Sequence, residues 1–238
     1  EAERGMRSAF YFASTPWWWR GASKRDVTYD VRSPKFKRLF KKLRAAGAEV
    51  GLHMSYNVHR NHGLLAEEKQ RLEAASGSGI LGGRHHYWHL GRPMWETLRA
   101  HGTAGLAYDT SISFNESPGY RLGIGHGFYP WDPITESRLP TLQIPTLLMD
   151  GALLYDDAVT VDDALERVDE LLATLKRYEG TAAIDWHVRT SHPGRPGFER
   201  WAAVYHGLLD RLAADSDIDV LTPAAILASH EEEFAPSL

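Results

Sequence analysis

An α/β barrel is the fold class this sequence predicts, and three observations predict it. Short apolar or alternating runs take turns with amphipathic stretches along the chain, the order that builds a parallel sheet covered by helices. Polar residues able to do chemistry recur just past successive strand-like runs: His53, Arg84 with His86, Asp109, Asp150 and His187. In a barrel of parallel strands such positions meet at one rim, however far apart they lie in sequence. The length, 238 residues with 43% hydrophobic and 24% charged side chains, suits one domain spanning 1–238.

The elements follow in order. Residues 8–13 read as a first strand, and a long excursion through Pro16 and Trp17–Trp19 leads to Tyr29. Ser33 and Pro34 open a helix with a capping residue and a proline in its first turn, Phe36, Leu39, Phe40 and Leu43 fall on one face, and Gly47 ends it. Residues 49–56 run as an alternating strand into His53 and a polar turn. A weaker helix covers 64–75, a strand 80–83 delivers Arg84, His85, His86 and Tyr87, and a short helix runs from Pro93 to Ala100. A brief strand 105–108 ends at Asp109. From Thr110 to Pro140 the alternation lapses, and an irregular stretch that long in a compact domain is usually functional. A strand over 142–150 ends in Asp150, and Thr160 with Asp163 makes a capping pair for a helix closed by Gly180. A strand over 181–186 precedes His187, 198–214 is helical, 218–221 is a last strand, and Thr222 and Pro223 open a final helix.

Composition narrows the partners. A net charge of −4 does not announce a nucleic acid, and the basic cluster Lys35, Lys37, Arg38, Lys41 and Lys42 reads as the wet side of a helix. No apolar run approaches the roughly 20 residues needed to span a bilayer. With no cysteine, any metal must be held by His, Asp or Glu. Eight Trp and ten Tyr supply core, and also flat platforms for the C–H faces of sugars; Trp17–Trp19 divide evenly between those readings.

The chemistry these residues permit is hydrolysis at a carbonyl. Two neutral imidazoles and a carboxylate make an open zinc-type site, and a further histidine can protonate the leaving amine. There is no G-x-S-x-G and no cysteine nucleophile, and the glycines of 119–125 are not followed by a helix that would cradle phosphate.

Glu49-Val50-Gly51-Leu52-His53, Arg84-His85-His86-Tyr87, Tyr108-Asp109-Thr110-Ser111, Gly119-Tyr120-Arg121-Leu122-Gly123 and Asp185-Trp186-His187 resemble, in that order, the polysaccharide deacetylase (NodB-homology) superfamily, carbohydrate esterase family four. The closer likeness is to a bacterial branch reading roughly EIGLH-x-SY, R-x-HY, YDSS, GFR-x-G and WH. The resemblance covers about residues 8 to 230. It implies a distorted (β/α)7 barrel, a divalent metal, usually zinc, and removal of N-acetyl groups from an amino-sugar polysaccharide or cell-surface glycan.

Carried over by position, the resemblance makes His53 the first metal ligand, Arg84 the arginine that orients a catalytic carboxylate, and His187 the general acid. His86 is taken as the second ligand, with His59 the alternative because relatives place that ligand soon after the first. Arg121, Asp109, Tyr87 and Asp150 are expected on the substrate side, Asp109 chiefly by fixing its loop. The aspartate pair that opens the family pattern should precede the Phe10 strand; Asp26 and Asp30 follow it and do not match. The expectation is therefore a catalytic domain truncated at its amino end, lacking its first strand, with further segments upstream of Glu1. Two other functions stay open: a carbohydrate-binding barrel without chemistry, and a cyclic-amide hydrolase, whose branch the run from His192 to Pro196 loosely resembles.

Overall fold

The computed structural model describes residues 1–15, 23–27 and 29–233, so Trp17–Trp19 lie outside the described residues. The chain divides into two compact units, one of residues 7–111, 127–144 and 221–238, the other of residues 1–6, 112–126 and 145–220.

The first unit carries the regular alternation. β1 (Ala9–Phe12), β2 (Glu49–Met54), β3 (Gly82–His85) and β4 (Tyr108–Asp109) pair in sequence order, all parallel. Each crossover supplies a helix: α1 (Pro34–Ala45), α2 (His62–Ser76) and α3 (Met94–Thr103). Strands β5 (Trp131–Asp132) and β6 (Ser137–Arg138) form an antiparallel hairpin inside the stretch that shows no periodicity in sequence. β7 (Leu142–Gln143) then adds to β4 as the fifth parallel strand.

Phe40 anchors this unit. It is wholly buried, packs edge-on against Phe12 at 4.9 Å, and its burial is worth roughly 1.5–3 kcal/mol. The alternating face of β2 buries Leu52 and Met54 in the same core. Leu39, expected inward, is 36% exposed because the helix turns it to the rim of the apolar stripe. Lys35, Lys37, Arg38, Lys41 and Lys42 are all exposed, as a solvated helix face requires. Gly82 is demanded by packing: the Tyr108 ring lies where a side chain would project, 2.5 Å from an added Cβ.

The second unit has its own core. β8 (Thr146–Met149) pairs in parallel with β9 (Ala183–Asp185), flanked by α4 (Asp150–Leu154), α5 (Val161–Arg177) and α6 (Glu199–Ala214). The capping box of Thr160 and Asp163 forms, each side chain holding the other's amide at about the start of α5. Val168 and Leu172 of α5 meet Val204 and Leu208 of α6 in the core.

Several boundaries differ from the sequence reading, among them β4, expected over 105–108 and found at Tyr108–Asp109. The run 142–150 is two strands interrupted at Ile144 and Pro145, and Asp150 heads α4 instead of ending a strand; proline has no N–H to continue a ladder. Residues 218–221 form no strand: the Ile218 amide turns back to the Asp215 carbonyl at 3.3 Å. The run 80–83 becomes a strand two residues later, carrying Arg84 and His85 inside β3. The final helix α7 (Pro223–Glu233) begins where its proline places it.

Candidate active site

Each unit contains a cluster of the expected site residues.

In the first unit, parallel register sets His53 of β2 opposite Arg84 of β3. His86 follows β3, and its ring lies 4.8 Å from that of His53, tilted 61°. Asp26 closes the group. Its Oδ1 accepts from the Tyr56 amide at 2.8 Å and from His86 Nδ1 at 3.0 Å, and its Oδ2 accepts from the Ser23 amide at 3.1 Å. Burial alone would raise this carboxyl, but the His86 ring and the two amides bring it below its ordinary value. An ionised carboxylate fixes His86 as the Nδ1–H tautomer and leaves Nε2 with the lone pair, the arrangement that orients metal-binding imidazoles.

The backbone past His86 is strained. Tyr87 and Trp88 both have left-handed φ, 58° and 50°, a conformation costing about 1–3 kcal/mol per residue for side chains of this kind. It leaves Tyr87 54% exposed, edge-on to Tyr56 at 5.8 Å, while Trp88 is buried. The Arg84 guanidinium lies over the Tyr11 ring at 4.2 Å. It also helps to keep the Asp109 carboxyl ionised, though burial dominates and raises that group.

Asp109 is wholly enclosed. Its oxygens accept from the amide and hydroxyl of Ser111 at 3.0 and 2.8 Å, which fixes the loop after β4. Beside it His85 and His101, also buried, face each other Nε2 to Nε2 at 2.8 Å. One nitrogen donates and the other accepts in that contact, and burial lowers both imidazoles.

His59 is engaged at both nitrogens. Nδ1 donates to the Tyr56 carbonyl at 3.0 Å, and Nε2 accepts from Arg60 Nε at 3.0 Å. Its ring lies against that of His89, the centroids 3.8 Å apart and the planes tilted by 47°.

A cation placed at the first cluster would find two imidazoles, one of them backed by a carboxylate. Among the described residues no group of three or more His, Cys, Asp or Glu side chains is arranged to hold a metal. A catalytic zinc takes three protein ligands. Among the described residues, His53 and His86 are thus one protein ligand short of that set.

In the second unit, Asp150 at the head of α4 is fully buried and gathers four donors. They are the Gly151 amide at 2.7 Å, the His187 amide at 3.1 Å, His187 Nδ1 at 2.8 Å and the Thr190 hydroxyl at 2.6 Å. Hydrogen bonding and charge from Asp150 raise His187 above its ordinary value; Asp150, which burial would raise, is lowered by its partner. His187 keeps 37% of its side chain exposed. It is a positively biased imidazole with one edge in solvent and the other on a buried anion. Exposed Arg121 donates to the Ser113 carbonyl at 3.3 Å in the same unit.

Sequence reasoning set Asp26 aside as out of place for the family's aspartate pair, and did not single out Thr190. Asp26 lies in an irregular segment with no periodicity to place it. Thr190 stands three residues after His187, where only the turn of the backbone brings its hydroxyl to Asp150.

No family model and no curated protein matches the sequence. Solved structures do. One from Mycobacterium smegmatis, assigned as a polysaccharide deacetylase, aligns over 100% of this chain and 76% of its own at 16% identity, with a TM-score of 0.62. The Puue allantoinase aligns over 86% of this chain and 65% of its own at 15% identity, TM-score 0.57. A Pseudomonas aeruginosa PAO1 structure, likewise assigned as a polysaccharide deacetylase, aligns over 86% and 66% at 15% identity, TM-score 0.55. The likeness establishes the fold: this chain has the α/β fold of these solved structures.

Proposed function

We propose that this protein is a hydrolase of the polysaccharide deacetylase kind, cleaving the acetamide C–N bond of an N-acetylated amino-sugar polymer or cell-surface glycan. The observation that carries the reading is the Asp150–His187 pair. Nδ1–H is committed to the buried carboxylate at 2.8 Å, the imidazole is biased towards its charged form, and its far edge is open to solvent. A group so held can give a proton from Nε2 to a departing amine and regain it from water, with Asp150 stabilising the imidazolium. Asp150 thus acts through His187; it does not meet the glycan.

His53 and His86 take the role of cation ligands in this reading, with a divalent ion, zinc by preference, as the cofactor. The tautomer that Asp26 imposes on His86 supports His86 over His59, whose nitrogens already serve Tyr56 and Arg60. Arg84 and Tyr87 line the same cluster, and Arg121 is assigned to substrate. Asp109 contributes through Ser111 and the loop it fixes. A second reading, hydrolysis of a cyclic amide, is favoured by the likeness to an allantoinase; the same proton donor would serve it.

The test is product analysis with the protein as given and with His187→Ala. Acetate released from an N-acetylated polymer, and lost in the variant, supports the deacetylase reading. Ring opening of a cyclic ureide without acetate release selects the second. Glycan binding with neither product leaves a binding module and overturns both.

A further inference from the structure

Glu68 lies on α2 with its side chain wholly enclosed, a rare place for a carboxyl, and among the described residues no cation pairs with it. Its oxygens are spoken for by the exits of two strands. Oε1 accepts from the Thr15 hydroxyl, just past β1, and Oε2 accepts from the Ser55 amide at 3.1 Å, just past β2. The backbone carbonyl of the same residue accepts from the Ser14 hydroxyl at 2.7 Å. One helical residue therefore grips both strand ends three times.

The next amide along completes the picture. Ser55 N–H goes to Glu68, and Tyr56 N–H goes to Asp26, the carboxylate that sets the tautomer of His86. Consecutive amides are thus held by two buried carboxyl groups, and the position of the second depends on the first. The two acids are not alike. Burial, with the added repulsion of Asp26, pushes Glu68 up to about 7, whereas Asp26 is held down by its donors.

We propose that Glu68 is a positioning residue for the His53–His86 cluster, its buried carboxyl fixing the exits of β1 and β2 so that the Tyr56 amide holds Asp26 against the imidazole of His86. Removing the carboxyl frees the Ser55 and Tyr56 amides to move, and Asp26 loses the anchor that aims it. A glutamine of the same shape keeps an acceptor and mimics the protonated acid.

The meaning of this for catalysis rests on the reading proposed above, but its test does not need activity. The imidazole nitrogens of His86 report directly by long-range 1H–15N NMR on the full chain, which distinguishes the Nδ1–H from the Nε2–H tautomer. Wild type and Glu68→Gln are expected to show His86 as Nδ1–H. In folded Glu68→Leu that population should fall at least roughly twofold in favour of Nε2–H. A purely structural role would lower thermal stability and leave the tautomer of the folded protein unchanged, and that outcome overturns the proposal. If Glu68→Leu does not fold, Glu68→Asp takes its place under the same two outcomes, since it withdraws the carboxyl by one methylene. Failure of the functional reading shows elsewhere, as acetate release undiminished in His86→Ala.

Discussion

Asp26–His86 and Asp150–His187 are the same pair of side chains in two settings. In each, a carboxylate held by backbone amides accepts from the Nδ1 of a histidine, at 3.0 and 2.8 Å. Asp150 adds a hydroxyl donor and full burial, and its histidine is left with solvent at the far edge and a raised pKa. Asp26 instead aims its histidine at another imidazole 4.8 Å away. The lesson is that a carboxylate–histidine contact fixes the tautomer in both settings, and the far edge of the ring decides between proton donor and ligand. His85 and His101 make the contrast complete, since they face each other in a dry interior and are suited to neither task.

The comparison can be broken most severely at the proton donor. His187→Ala should lower kcat for acetate release by about 10²–10⁴-fold, the usual worth of a general acid. An equal loss in His59→Gln would erase the distinction between the two kinds of histidine.

Asp150→Asn comes next. It leaves buried donors facing a weaker acceptor, at a cost of about 1–3 kcal/mol by urea denaturation. It also changes how stability depends on pH. His187 has a raised folded pKa, so its contribution is fully present below its ordinary 6.5 and is lost as pH rises through the folded value. Asp150 has a lowered folded pKa, so its contribution is present above its ordinary 3.8 and is lost as pH falls through the folded value. The stability difference between wild type and Asp150→Asn should therefore be largest between those two ordinary values and shrink towards alkaline pH. A difference independent of pH would mean that the pair is not coupled.

For the other pair the readout is zinc uptake, followed by calorimetry. Asp26→Asn should weaken binding about 10–100-fold if the carboxylate orients a ligand, while His59→Gln should leave it unchanged. Reversal of that order would hand the ligand role to His59. The smallest effect is expected from Thr190→Val, which removes one of four donors to Asp150 and should cost about 0.5–1.5 kcal/mol in a denaturation experiment.

Much of the fold is legible in the sequence because its cues are local. The apolar face containing Phe40, the Thr160–Asp163 cap and the alternation of β2 each speak within a few residues. The expected ends of strands carry His53, Arg84 and His187 for the same reason. What is illegible depends on partners distant in the chain. Nothing near residues 218–221 says that no strand will receive them, and nothing near Asp26 says that it will meet His86, 60 residues on. Glu68 is a partial exception: Leu64, Leu65, Leu72 and Ala75 are buried around it at helical spacing, which marks 68 as an inward position occupied by an acid.

The grip on residues 55 and 56 has a consequence for the timescale of local motion. Their N–H groups lie just beyond a strand, where a loop would ordinarily surrender deuterium within moments, yet both end on carboxyl oxygens shielded from water. Exchange must wait for Glu68 of α2 to leave the Ser55 amide and for Asp26 to leave that of Tyr56, so this bend should lose its protons more slowly than an ordinary loop.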